Sequence, residues 1–237
     1  MTQRIALCFA GQPRAFRKGY EYYKKNLFDQ FPDQVDVFIH TWNGNWIEEI
    51  VDLYKPVAIK VDDPLTGDYD EKYQKTPDKN KWPPRFTVSS YYSIFESCYL
   101  KIKHESRTVE YDWVIKTRFD FALNARIPFE SLPDRDAVYV PGDRWTQDRT
   151  FCNDQFAFGS SHVMNKYMST FLNMDHFYNM GVTMIGEDML AANLKYHGLI
   201  GERMVYCDMK HPFPPGPHNG SQHSLLRDDL EHWRATT

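Results

Sequence analysis

Apolar residues in this chain recur in two rhythms that alternate from the first residues onward. Arg4-Ile-Ala-Leu-Cys-Phe-Ala10 is a short, nearly unbroken apolar run, the pattern of a strand buried on both faces. It stops at Gly11-Gln12-Pro13-Arg14, a turn signal. From Ala15 to Phe28 the spacing becomes helical, with Phe16, Tyr20, Tyr23 and Leu27 on one face. Val35 to His40 is a second strand, ending at Thr41-Trp42-Asn43. Trp46 to Tyr54 is a second helix, halted before Pro56, and Val57 to Val61 a third strand. The order βαβαβ predicts a parallel sheet with crossover helices.

Residues 62–84 break the rhythm. They are rich in Asp, Lys, Pro and Tyr and lack periodicity, which predicts a long surface loop. Ser89 to Lys103 returns to helical spacing through Tyr92, Phe95, Tyr99 and Ile102. Trp113 to Thr117 is a buried strand that ends abruptly in Arg118 and Asp120. Ala137 to Val140 and Gln155 to Gly159 are further strands, with a polar loop from Pro141 to Arg149 between them. His162 to Met174 and Asp188 to Tyr196 are helices, and Met204 to Cys207 a last short strand. From His211 the tail is irregular and Pro-rich. With no internal repeat or interdomain linker, the pattern predicts one α/β domain with a mostly parallel central sheet flanked by helices.

Composition narrows the function. A net charge of -4 gives no basic stripe for nucleic acid. Cys8, Cys98, Cys152 and Cys207 are scattered without C-x-x-C spacing, which argues against a zinc site or redox pair and for reduced thiols in a cytoplasmic protein. Ile5 to Ala10 is too short for the core of a signal peptide, and no run approaches a transmembrane span of ~20 residues. Aromatic residues make up 16% of the chain, enough to build a core and also to line a sugar or base pocket.

Candidate chemistry gathers where strands end, since open α/β sheets bind ligands beyond the carboxyl ends of their strands. At Gly11 to Arg14 a strand, a glycine turn and a helix place backbone N–H groups near a possible anion, and Arg14 adds a planar donor fork. The plain alternative is a βα turn with a surface arginine. Thr41 and Trp42 follow the second strand as a hydrogen-bond donor and a stacking surface, and His40 before them reads as a structural histidine. Arg118 and Asp120, two residues apart on an extended backbone, would point the same way and suit a phosphate, a metal ion or both; a salt bridge capping the strand is the alternative. Asp154 could hold a sugar hydroxyl or form an Asx turn. Glu187 and Asp188 open a helix, where acids favour the dipole, and either could serve as a general base, with Glu187 the better placed.

Taken in order, Ala6-Leu-Cys-Phe-Ala-Gly-Gln-Pro-Arg14, Asp36-Val-Phe-Ile-His-Thr-Trp42, Lys116-Thr-Arg-Phe-Asp120, Asn153-Asp-Gln-Phe-Ala-Phe-Gly159 and Gly186-Glu-Asp188 resemble viral and bacterial GT-A-fold glycosyltransferases, including the WavE-like lipopolysaccharide synthesis group. The resemblance spans roughly residues 4–207. It implies a GT-A-like fold, a nucleotide-sugar donor, a glycan or polysaccharide acceptor and a divalent metal, Mn²⁺ or Mg²⁺. Gly11, Arg14, Thr41, Trp42, Arg118 and Asp120 would bind the donor, and Asp120 would stand in for the metal-binding D-x-D. Position 118 is Arg where that pattern has its first acid, so Arg118 would do part of the metal's electrostatic work. His211 or His218 could complete a metal site. The expected activity is glycosyl transfer; the rivals are a nucleotidyltransferase or sugar-nucleotide hydrolase on the same phosphate rim, and a non-catalytic glycan-binding module.

Overall fold

The structure, a computed structural model, describes residues 3–74, 83–132, 134–141 and 154–200, together with the backbone of 204–207. Its centre is a seven-stranded sheet in the order β3-β2-β1-β4-β6-β5-β7. The strands are β1 (Ile5–Ala10), β2 (Val35–Trp42), β3 (Ala58–Asp62), β4 (Trp113–Thr117), β5 (Val138–Pro141), β6 (Ala157–Gly159) and β7 (Met204–Cys207). Only β6 runs against its neighbours β4 and β5; every other pairing is parallel. The α/β, mostly parallel architecture expected from the apolar runs is the one observed.

Alternation along each strand builds two cores. Ala6, Cys8, Ala10, Phe38, Val114, Val138, Val140 and Ala157 face one side. Ile5, Leu7, Phe9, Val37, Ile39, Trp113, Ile115, Tyr139, Phe156 and Phe158 face the other. The first side is covered by α4 (Pro84–Glu105), α5 (Ser161–Tyr167), α6 (Thr170–Asn179) and α7 (Gly186–Tyr196). The second is covered by α1 (Phe16–Tyr23), α2 (Ile47–Tyr54) and the chain after β4, through Phe119, Phe121, Leu123 and Phe129.

Three local expectations are corrected, and the packed face of a fourth element is new. The helix expected over 15–28 is α1 followed by a π-helical turn, Lys24–Phe28, and Ala15 before it sits at φ 48°. The helix expected over 162–174 is broken into α5 and α6. Side chains take over carbonyls at the break: Ser169 Oγ donates to Lys166 O at 2.8 Å, Thr170 Oγ1 to Tyr167 O at 3.1 Å, and Asn193 Nδ2 to Lys166 O at 2.8 Å. Within 62–84, the described residues 63–74 are mostly exposed, as a surface loop would be, but they carry one helical turn and one buried anchor. They form α3 (Tyr69–Lys72), and Tyr73 is buried, with its hydroxyl and the Lys72 amine both on Asp175 of α6. Finally, the aromatic row of α4 does not face the sheet. Val88, Tyr91, Ser93, Ile94, Ser97 and Cys98 are buried, while Tyr99 and Ile102 are exposed. Apolar residues occur on both faces of α4, and its small side chains face β1 and β2.

Candidate functional site

Strand order reverses between β1 and β4: the chain steps outward through β2 and β3, then returns over α4 to pair β4 with β1. Ligands in open α/β sheets bind at such a switch point, beyond the carboxyl strand ends. Gly11 follows β1 there and Arg118 follows β4. Because β6 runs the other way, its beginning lies at the same edge, with Ala157 opposite Lys116. Asp154 therefore joins the rim from the far side, and α4 brings its first turns to it after β3.

On the β1 side, Gly11 turns the chain at φ 95°, a conformation that favours glycine, and an added Cβ would meet nothing within 4 Å. Its N–H does not await an anion: it donates to Ser93 Oγ at 2.6 Å and to His40 O at 3.2 Å. Its carbonyl accepts from Thr41 Oγ1 at 3.0 Å. Thr41 is fully buried, so that hydroxyl shapes the turn and does not face a ligand, contrary to the expected donor contact. Trp42 is also buried. It stacks on Tyr92 with ring centroids 6.0 Å apart and meets His40 edge-on. Arg14 is half-buried at the rim, and its guanidinium donates to Gln12 Oε1 at 2.9 and 3.2 Å.

His40 itself is fully buried and has a partner on each ring nitrogen: Ser93 Oγ at 2.7 Å on Nδ1 and Asp62 Oδ2 at 3.1 Å on Nε2. It is a satisfied structural histidine, as expected. Asp62 also receives the Tyr92 hydroxyl at 2.7 Å and the Lys60 amine at 3.0 Å, and Lys60 reaches Glu96 at 3.0 Å. Burial lowers the His40 pKa from its ordinary value, outweighing the Asp62 carboxylate. Partial burial alone would raise the Asp62 pKa. The hydrogen bonds from Tyr92, Lys60 and His40 win and hold it at about 2.

On the β4 side, the backbone does not stay extended after Thr117. Phe121 N–H bonds to Arg118 O at 3.3 Å, closing a turn that buries Phe119 and brings Arg118 and Asp120 together. Arg118 Nε and Nη2 donate to the two oxygens of Asp120 at 2.8 and 2.7 Å, a bidentate pair. The Arg118 side chain keeps 35% of its exposure and the Asp120 side chain 5%, so the cation, not the carboxylate, faces outward. Behind them Lys116 is buried and donates to the Asp154 carbonyl. Desolvation lowers its pKa to about 8, against the pull of the Asp154 and Asp120 carboxylates.

The acids at the start of α7 complete the rim. An added Cβ on Gly186 would lie 3.3 Å from Asp154 Oδ2, and Gly186 O accepts from the Tyr91 hydroxyl of α4 at 2.7 Å. Asp188 is engaged by the Thr183 hydroxyl just before the helix, a local closing contact. Glu187 is half-buried in the first turn. The structure thus places Gly11, Arg14, Thr41 and Trp42 at one end of the rim and Arg118, Asp120, Asp154, Glu187 and Asp188 at the other.

The residues as arranged do not make a metal site. Arg118 occupies both oxygens of Asp120, and among the described residues no three His, Cys, Asp or Glu side chains converge to hold an ion. His211 and His218 lie outside the described residues. Sequence reasoning missed Asp62, Tyr92, Ser93 and Lys116. The signal for Lys116 was present, a lysine inside an apolar strand. Ser93 sits mid-helix with nothing in its neighbours to mark it.

Fold and rim together define an α/β protein with polar strand ends gathered at its switch point. Residues 1–223 match the family described as Domain of unknown function (DUF7796), and the chain belongs to that family. No curated protein matches it. Solved structures similar to this chain include two of LgtC. One is an active-site mutant of LgtC, with TM-score 0.48 and 12% identity over 86% of this chain and 72% of that one. The other is the galactosyltransferase LgtC in complex with donor and acceptor sugar analogues, with TM-score 0.45 and 12% identity over 86% and 73%. No helix among the described residues is long and apolar enough to cross a membrane.

Proposed function

We propose that this protein transfers a glycosyl group from a nucleoside diphosphate sugar to a hydroxyl of a glycan or polysaccharide acceptor. One observation carries the reading: an outward-facing arginine, held by a buried carboxylate, stands at the sheet's switch point between a glycine turn and a pair of acids. Neighbouring strands are about 4.8 Å apart, so the rim from β3 to β6 runs about 19 Å, long enough for an extended donor. The ordered motifs, which resemble those of GT-A-fold transferases of the WavE-like group, support the same reading.

In this scheme the nucleoside lies toward Gly11 and Trp42 and the diphosphate toward Arg118 and Arg14. The bond between the anomeric carbon and the diphosphate oxygen breaks, and the acceptor oxygen bonds to that carbon. Charge building on the leaving diphosphate is met by Arg118, whose fork Asp120 keeps aimed. Asp154 receives a sugar hydroxyl. Where the transfer inverts the anomeric carbon, Glu187 takes the acceptor proton; a retaining transfer leaves it a binding role. Asp188, tied to Thr183, sets the start of α7.

The test is thermal unfolding against nucleoside diphosphates and nucleotide sugars, each with and without Mn²⁺ or Mg²⁺, followed by product analysis with glycan acceptors. A ligand at 100 times its Kd stabilises the folded state by about 2.7 kcal/mol, a readable shift. A shift with one nucleotide and release of nucleoside diphosphate support the proposal, and the two metal arms show what the diphosphate needs. Release of pyrophosphate instead would mark a nucleotidyltransferase, and no shift with any ligand would refute a donor site.

A further inference from the structure

We infer that Asp62, His40 and Ser93 form a one-directional hydrogen-bond chain that holds the Gly11 turn in shape for the nucleotide, making them positioning residues of the donor pocket. The inference rests on the donor-site reading above.

Direction follows from the end groups. The Asp62 carboxylate can only accept, so His40 Nε2 carries a proton and donates across 3.1 Å. In a neutral ring Nδ1 then has no proton and must accept, at 2.7 Å, from the Ser93 hydroxyl. With its own hydrogen committed, Ser93 Oγ is an acceptor for the Gly11 N–H at 2.6 Å. The three bonds of the chain run in one sense, while its ends are shared: the Gly11 N–H also reaches His40 O, and Asp62 also accepts from Tyr92 and Lys60. The other orientation, Ser93 donating to His40 O, is longer at 3.3 Å. The sequence Asp-His-Ser resembles a nucleophilic triad, but Ser93 and His40 are both fully buried, and the serine points at a backbone amide. Neither side chain can touch a substrate.

What the chain does control is the exit of β1. Gly11 sits at φ 95°, at the switch point, with open space where a side chain would be. Its amide is one of the few polar groups that fix where Gln12, Pro13 and Arg14 go next. The far end of the chain, Asp62, keeps 27% of its exposure and is held by Tyr92 and Lys60, and Tyr92 also stacks on Trp42. Both flanks of the nucleoside end are thus tied to one hydrogen-bond path running through the sheet.

The experiment combines ¹⁵N NMR of the histidine rings in the whole protein with nucleoside diphosphate titration of variants. The inference expects an Nε2–H tautomer at His40, with Nδ1 bare. It expects Ser93→Ala and Asp62→Ala to weaken nucleotide affinity about tenfold while kcat at saturating donor stays within twofold. Asp62→Asn, which keeps an acceptor for Nε2–H, should restore binding. An Nδ1–H tautomer would overturn the chain's direction. Unchanged affinity in folded Asp62→Ala and Ser93→Ala proteins would overturn the positioning role. If the wild-type protein bound no nucleotide at all, the donor-site reading and this inference would fall together. If it bound normally in every variant, only the inference would fall. Asp62→Ala alters a partly exposed side chain, so it keeps the test available should Ser93→Ala not fold.

Discussion

Replacing Gly19 by alanine should destabilise this protein, although the same change in an ordinary helix stabilises it. Gly19 lies within α1, where alanine is worth about 1 kcal/mol over glycine in helix propensity. Here, however, the new Cβ would lie 2.1 Å from the carbonyl oxygen of Phe119 and 3.3 Å from its carbonyl carbon. That atom is backbone and cannot rotate aside. Relief requires α1 and the turn after β4 to part by about 1 Å, and such overpacking costs roughly 1–3 kcal/mol. α1 is further tied to β4 by the hydrogen bond between Tyr23 Oη and Thr117 Oγ1, which lies on the same path. The net expectation is a loss of up to about 2 kcal/mol in urea denaturation. The strained group is the peptide between Arg118 and Asp120, so donor affinity should fall as well, by more than the stability loss explains at temperatures where the variant is fully folded. A Gly19→Ala protein that is more stable than wild type and binds donor normally would refute the claim that α1 sets the position of the Arg118–Asp120 turn.

Four further outcomes are expected. Arg118→Lys, which removes the planar fork but keeps the charge, should reduce transfer by ~10²-fold or more and cost roughly 1–3 kcal/mol of stability, because the almost wholly buried Asp120 carboxylate loses its two-point partner; steady-state kinetics and denaturation check the two halves. Glu187→Gln should lower kcat by ~10²-fold if the product anomer is inverted, and far less if it is retained, so kinetics and product NMR are read together. Lys116 has a folded pKa of about 8 against 10.5 unfolded, so the unfolded chain binds more protons between those values and wild-type stability should rise with pH across that window, by up to ~3 kcal/mol. Lys116→Met should lose that rise when the two proteins are compared by urea denaturation from pH 7.5 to 10.5. Asp62 gives the same sign of slope in an acid window, because its folded pKa of about 2 again lies below the unfolded value: the stability it adds is complete above the unfolded value and disappears as pH falls from about 4 toward 2, and Asp62→Asn should flatten that limb.

The parts of this fold that sequence revealed are those fixed by one-dimensional pattern. β4 was bounded to the residue because Trp113, Val114 and Ile115 are bracketed by polar residues and end at a charged pair. The parallel order of β1, β2 and β3 follows from short apolar runs separated by helices. Two kinds of information were not legible. One is which face of an element turns inward when both are apolar: α4 presents Tyr92, Phe95 and Tyr99 at perfect helical spacing, yet buries Val88, Tyr91, Ile94 and Cys98. The other is the partner of a polar group. Thr41 and the Gly11 N–H both looked available to a ligand in one dimension, and both are consumed inside the turn. A strand-end motif therefore locates a rim reliably but does not say which of its atoms face outward.

The Arg118–Asp120 pair shows why that distinction matters for chemistry. With an acid at position 118, two carboxylates would repel one another across a short turn unless a cation sat between them. With arginine there, the turn carries its own cation, and both oxygens of Asp120 are already neutralised at 2.7 and 2.8 Å. Asp120, almost wholly buried, gains its stability from that fork, while the Arg118 side chain keeps 35% of its exposure. For Asp120 to bind an ion, Arg118 would first have to release it, leaving a buried carboxylate to be re-paired and a cation to find a new anion. A donor diphosphate supplies that anion, so donor and metal would be expected to bind cooperatively, each weak without the other. In titration calorimetry, Mn²⁺ alone should then show no binding even if Mn²⁺ tightens the donor. Tight binding of Mn²⁺ to the free protein, lost in Asp120→Asn, would show that the ion pair does not guard the carboxylate as argued.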